Sequence, residues 1–132
     1  MNIKYNINKN ISTNDFIEIL TNSTLGQRRP IDDLETIKSM IENADIIITA
    51  SIDNKIVAIA RAITNFSYCC YLSDLAVDTK YQKMGIGKKL ISKVQEQLND
   101  KCKIILLSAP DATKYYANIG FTQHNSVWTL SK

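Results

Sequence analysis

The sequence predicts a mixed α/β fold: a mostly antiparallel sheet of about seven strands with one central β-α-β crossover and about four helices. Three observations predict it. Ile46 to Ile52 and Lys55 to Thr64 are two β-branched runs joined by the polar turn Asp53-Asn54, the local signature of an antiparallel hairpin. The apolar run Leu72 to Val77 leads into a glycine-containing loop, after which Ile86, Leu90, Ile91, Val94 and Leu98 recur at helical spacing. A short apolar strand, Lys103 to Ser108, then follows, of the kind buried in a parallel pairing.

The remaining elements fall around this centre. Ile3 to Asn8 alternates apolar and polar residues as a half-buried strand does. Ser12-Thr13-Asn14-Asp15 is a helix-start cluster, and Phe16, Ile17 and Leu20 give that helix one apolar face. The stretch from Asn22 to Pro30 breaks it. Asp32-Asp33-Leu34-Glu35 opens a second helix in a box-like arrangement, with Leu34, Ile37, Met40 and Ile41 turned inward. Tyr68 to Val77 is the strand before the glycine loop, and Gly85 to Leu98 is the main helix. Ala112 to Asn118 forms a short helix closed by Gly120. Phe121 to His124 and Ser126 to Leu130 are expected as the last two strands.

At 132 residues the chain is a single domain, 1–132, long enough to bury one core. Apolar content of 45% against 22% charged residues excludes a disordered chain. No window approaches the roughly 18 consecutive apolar residues that span a bilayer, and the N-terminus lacks the apolar run of a secretory signal, so a cytoplasmic protein is expected with no membrane partner. Cys69, Cys70 and Cys102 form no Cys-x-x-Cys pair, and the adjacent pair should point to opposite strand faces, so core-filling thiols are expected. His124 is the only histidine, which leaves no His-rich metal site; no metal is expected. No nucleophile elbow is present to complete a serine triad around it. A net charge of +3 gives no footprint for nucleic acid.

The loop Gln82-Lys83-Met84-Gly85-Ile86-Gly87 joins a strand to a helix start. Glycines there let the backbone approach a ligand, and the unpaired N–H groups of a first helical turn attract anions. Lys80, Lys83, Lys88 and Lys89 cluster around it, against the helix dipole, which favours an anionic partner. It is not a Walker loop, since Gly87-Lys88-Lys89 lacks the Ser/Thr ending, and it has no third glycine for a dinucleotide fingerprint.

With its context, Leu75-Ala76-Val77-Asp78 followed by Tyr81 to Leu90, this loop resembles the core motif of the GNAT superfamily of N-acetyltransferases, Gln/Arg-x-x-Gly-x-Gly/Ala after a strand. Tyr115-Tyr116-Ala117-Asn118-Ile119-Gly120-Phe121 is similar to that family's aromatic-Tyr-x-x-x-Gly-Phe segment, in the right order downstream. The resemblance covers essentially the whole chain. It implies two central strands, ending near Val77 and Ser108, that splay apart to admit the pantetheine arm of acetyl-CoA as a pseudo-strand. It implies an acetyl donor bound by the backbone of Leu75, Ala76 and Val77 and by Gln82, Lys83, Met84, Gly85, Ile86, Gly87 and Lys88. It further implies an amine acceptor and direct transfer with no metal, and it allows a homodimer.

Among side chains, Tyr116 matches the family tyrosine that protonates the leaving thiolate. Asp74 stands where some members place a carboxylate that contacts or deprotonates the acceptor; the other reading is a strand aspartate that orders a bulge or faces water. Arg28 and Arg29 lie in a loop that borders the acceptor pocket in this family, where arginines suit a carboxylate or phosphate on the acceptor. A non-catalytic acyl-CoA-binding or sensory domain would carry the same loop, but it would have no need of a proton donor at Tyr116.

Overall fold

A computed structural model describes residues 2–132 of the chain. Its sheet has five strands in the order β1 (Lys4–Ile7), β2 (Ile46–Ile52), β3 (Lys55–Thr64), β4 (Cys69–Val77) and β5 (Lys103–Ile105). The first four pair antiparallel, and β4 pairs with β5 parallel. The β2–β3 turn at Asp53-Asn54 has both residues at positive φ, 51° and 66°, the geometry a tight hairpin requires.

Four helices flank the sheet: α1 (Thr13–Asn22), α2 (Leu34–Glu42), α3 (Ile86–Glu96) and α4 (Thr113–Asn118). Ser12 caps α1 by accepting from the Asp15 N–H at 3.0 Å. Asp33 caps α2 through Thr36, whose N–H and hydroxyl both donate to its carboxylate. Those two bonds hold the Asp33 carboxyl below its usual pKa. The partner is thus Thr36 rather than the expected Glu35 box, and Leu34, expected inside, is exposed because the helix begins there and turns its first residue outward.

Strand alternation sorts the core into two layers. Ile46, Ile48, Ala58, Ala60, Ala62 and Leu72 face α3, where Ile86, Leu90, Ile91 and Val94 pack on them. Ile47, Ile59 and Ala76 face the other way, against Phe16, Ile19, Leu20, Ile37 and Ile41 of α1 and α2. The alanine row on β3 is what lets α3 lie close to the sheet. Cys70 is buried and Cys69 exposed, so the adjacent thiols do point apart, and all three cysteines are free. No helix among the described residues is long and apolar enough to cross a membrane.

Among the described residues the expected seven strands are five. The β4–β5 ladder runs only through Cys69↔Lys103, Cys70↔Ile104 and Tyr71↔Ile105. Residues 106–108, expected as strand, leave the sheet, and Ile105 and Leu107 are half exposed rather than buried. No strand among the described residues pairs with the outer side of β5. Residues 121–124 and 126–130 accordingly lie outside the sheet, with Trp128 92% and Leu130 98% exposed.

Candidate active site

The early end of the β4–β5 ladder opens a gap. Leu72 to Val77 keeps its β3 partner on one side and has no strand on the other. The resemblance implied two central strands that splay apart near Val77 and Ser108; here β5 is the edge strand, ends at Ile105, and its pairing with β4 stops after Tyr71.

Beyond the end of β4, a 3-10 turn (Thr79–Tyr81) is stapled by Asp78, whose side chain is nearly buried and accepts from the Lys80 N–H. The Gln82 side chain donates to the Val77 carbonyl at 3.1 Å, so it ties the loop back to the strand end. Lys83 and Gly85 have φ of 64° and 80°, and Gly85 occupies the N-cap of α3. A left-handed N-cap suits glycine. No hydrogen bond among the described residues uses the N–H groups of Lys83, Met84, Gly85, Ile86, Gly87 or Lys88, while the Lys89 N–H already donates to Gly85. Unpaired backbone donors in a run, backed by a helix N-terminus, fit a pyrophosphate. The space beside Gly85 is open to 4 Å. Gly87 differs: a Cβ there would overlap the Tyr115 hydroxyl, with Leu75 next nearest at 3.8 Å.

That hydroxyl comes from α4. Gly120, at φ 102°, ends this helix by donating to the Ala117 carbonyl, while Phe121 donates to the Tyr116 carbonyl at 3.0 Å. Phe121 also packs its ring edge-on to Tyr116, centroids 5.5 Å apart. These are the two bonds and the apolar contact of a Schellman ending. The sequence segment Tyr116-x-x-x-Gly-Phe is therefore a helix stop that pins the tyrosine. Tyr115 stands edge-on to Tyr116 at 5.3 Å. Burial pushes the Tyr116 phenol up to about 12; Tyr115 beside it adds to the rise, and the Arg29 guanidinium opposes it. Burial raises Tyr115 as well.

On the α1/α2 face of β4 a charged cluster stands instead. The Asp74 side chain is fully buried. One oxygen accepts from Arg29 Nε at 2.5 Å, and the other accepts from Arg61 Nε. Register along β3 and β4 passes from Arg61↔Asp74 to Ala62↔Leu72, so Ser73 is the extra residue of a β-bulge. Arg29 Nη2 donates to the Ser73 carbonyl and Arg61 Nη2 to the Ser73 hydroxyl, each at 2.8 Å. Arg61 Nη1 reaches the Met40 carbonyl of α2. Each Asp74 oxygen accepts from one arginine at the bulge, an arrangement in keeping with the bulge-ordering reading. Arg28 is exposed and enters the cluster only through its carbonyl, which accepts from Arg29 Nη1. Sequence reasoning missed Arg61 and Ser73. The signal was an arginine inside the otherwise apolar run Ile56 to Ile63, since a buried cation requires a partner. Among the described residues no group of side chains could hold a metal ion.

The chain has clear relatives. The family model of the acetyltransferase (GNAT) domain matches residues 27–129. An uncharacterized N-acetyltransferase ycf52 from Pyropia yezoensis is 29% identical over 120 residues, 86% of this chain and 67% of that protein. A probable acetyltransferase from meticillin-resistant Staphylococcus aureus superposes with a TM-score of 0.81 at 17% identity, covering 99% of both chains. AAC(6')-Iy, in complex with the bisubstrate analogue CoA-S-monomethyl-acetylneamine, gives 0.75 at 17% identity, covering 100% of this chain and 99% of that one. The family model covers most of the chain, and it defines the class: the protein belongs to the GNAT acetyltransferase family, which transfers acetyl groups from acetyl-CoA.

Proposed function

We propose that this protein acetylates a primary amine on a small molecule or peptide, in the cytoplasm, with the residues of the β4 crevice in defined roles. The observation that carries the reading is the run of unpartnered N–H groups from Lys83 to Lys88 at the start of α3, next to the free side of β4. These groups hold the coenzyme pyrophosphate. The free edge of β4 around Leu75, Ala76 and Val77 offers main-chain groups to the pantetheine amides, while the Val77 carbonyl is already partnered by Gln82. Acetyl-CoA, when bound, supplies the activated acyl group.

Tyr116, whose ring packs edge-on to Tyr115 and Phe121, is assigned the proton-bearing role, with the Tyr115 hydroxyl beside it at Gly87. With its phenol pushed up to about 12, it stays protonated at neutral pH. Full transfer of its proton to a thiolate of pKa about 8.5 would run uphill by several units. It therefore acts by donating a hydrogen bond to the developing sulfur charge, a preorganised electrostatic role. Juxtaposition of donor and acceptor supplies the rest of the rate. Asp74 is assigned a positioning role rather than that of a base.

Two measurements test the reading. Calorimetric titration of coenzyme A into the wild type is expected to show binding that Gly85→Asp weakens by tenfold or more, roughly the effect of one like charge and one strained cap. Release of free thiol from acetyl-CoA in the presence of an amine panel is expected to depend on the amine. Unchanged affinity in Gly85→Asp removes the cradle, and amine-independent thiol release removes the transferase assignment.

A further inference from the structure

The Arg29–Asp74–Arg61 cluster sets two cations against one anion, so one positive charge is left over. Its three members do not share solvent equally. The Asp74 side chain is fully buried, that of Arg61 is 7% exposed and that of Arg29 is 22% exposed. Arg61 commits all three nitrogens inward, to Asp74, to the Met40 carbonyl and to Ser73. Arg29 commits Nε to Asp74 and one N–H from each terminal nitrogen to the Ser73 and Arg28 carbonyls. A guanidinium carries five N–H groups, so two on Arg29 have no recorded protein acceptor. The surplus charge thus surfaces at Arg29. It does so beside the β4 bulge, where Arg29 is bonded to Asp74 and the Ser73 carbonyl.

The geometry points to an acceptor that is itself anionic: a primary amine bearing a carboxylate or phosphate, which docks on the free N–H groups of Arg29. Asp74 and Arg61 are positioning residues that fix this guanidinium at the bulge. The inference rests on the acetyl-transfer reading and narrows it. A guanidinium immobilised by its remaining N–H groups is a preorganised receptor for a planar or tetrahedral anion. The same charge repels polycationic amines. The amine attacks in its neutral form as the C–S bond breaks, and the proton it sheds on forming the amide balances the thiolate released, passing to it through solvent. Exposed Arg28, next in sequence, adds a second cation beside it.

The test is calorimetry on the coenzyme A-loaded protein with matched pairs of ligands: amino acids against their carboxamides, 2-aminoethyl phosphate against ethanolamine, and spermidine as the polycation. Binding needs no turnover, and the prior titration of coenzyme A checks the acetyl-transfer reading separately. In the wild type one of the anionic members is expected to bind at least about tenfold more tightly than its neutral counterpart, the contribution of one charged hydrogen-bonded contact. The two kinds of pair distinguish a carboxylate from a phosphate. Arg29→Gln is expected to bring that ratio near one while coenzyme A affinity is kept, and Arg29→Lys to restore part of it. Equal binding within every pair, tighter binding of spermidine, or a ratio that survives Arg29→Gln overturns the proposal. The wild-type ratios decide it even if a variant does not fold.

Discussion

The two faces of β4 solve recognition differently. Toward α3, the chain offers main-chain N–H groups and a helix start, with the lysines Lys80, Lys83, Lys88 and Lys89 around them in no ion pair among the described residues. Toward α1 and α2, it offers side chains: Asp74 gripping Arg29 and Arg61 at a bulge. Backbone donors suit a ligand part that is always the same, because they depend on a loop conformation and little else. A side-chain cluster suits a part that varies between proteins, because replacing one residue changes its charge. The contrast also separates what holds the fold from what touches a ligand. On the proposed reading, the glycine loop can lose a ligand contact and stay folded, whereas the Arg29–Asp74–Arg61 cluster is largely buried.

The largest effect should follow from breaking the charged face. Asp74→Ala leaves two guanidinium groups crowded against each other with no counter-ion, one of them nearly buried. A loss of about 3–5 kcal/mol in unfolding free energy is expected, measured by urea denaturation. A loss under about 1 kcal/mol would show that the cluster is a loosely solvated pair and that the bulge holds itself. Gly85→Asp, by contrast, should cost coenzyme affinity with little change in stability.

The difference between the faces also explains what could be read in advance. The strand–loop–helix junction at Gly85 was legible because glycines there carry a local backbone meaning, and Gly120-Phe121 marks a helix stop whatever the tertiary fold. The β2–β3 hairpin was legible for the same local reason, with its boundaries as expected. Arg29, Asp74 and Arg61 are separated by up to 45 residues, and only the bulge at Ser73 brings them together. No sequence spacing encodes that meeting. Asp74 was noticed as a carboxylate, but its partners were not. Residues 121–130 failed in the opposite sense: a β-like pattern cannot form a strand without an edge to pair with, and β5 ends after Ile105. Side-chain patterning reports willingness to pair, whereas the partner strand decides whether pairing occurs.

Next in size is Tyr116→Phe. Removing the hydroxyl should lower kcat about a hundredfold with acetyl-CoA affinity unchanged, the scale of one preorganised donor. A separate consequence concerns stability at high pH. The folded phenol titrates near 12, the unfolded one near 10, so the folded state holds its proton longer. Stability from this source is complete below pH 10 and is lost as pH rises toward 12. Two units correspond to at most about 2.7 kcal/mol. Unfolding curves of the wild type should therefore weaken more steeply than those of Tyr116→Phe through that window. Parallel curves would mean that the phenol is solvated and unfit for the role assigned to it.

The smallest effect sharpens the comparison most, because it tests whether the coenzyme face is purely a backbone device. Gly87 lies in the first turn of α3, where alanine would ordinarily stabilise a helix by up to about 1 kcal/mol. Here a Cβ would overlap the Tyr115 hydroxyl, and the next tyrosine atom, Cζ, would stand at an unexceptional 3.4 Å. Gly87→Ala is therefore expected to destabilise, by about 1–3 kcal/mol, the usual cost of overpacking. In a Tyr115→Phe background the offending oxygen is gone, and the same substitution should become neutral or stabilising. The coupling between the two sites, read from a double-mutant cycle in thermal unfolding, is the decisive quantity. A coupling near zero would show that Tyr115 swings away freely and that Gly87 serves only the ligand. A coupling of more than about 1 kcal/mol would show that the glycine makes room for a side chain, so that this tyrosine is part of the wall against which the coenzyme is held.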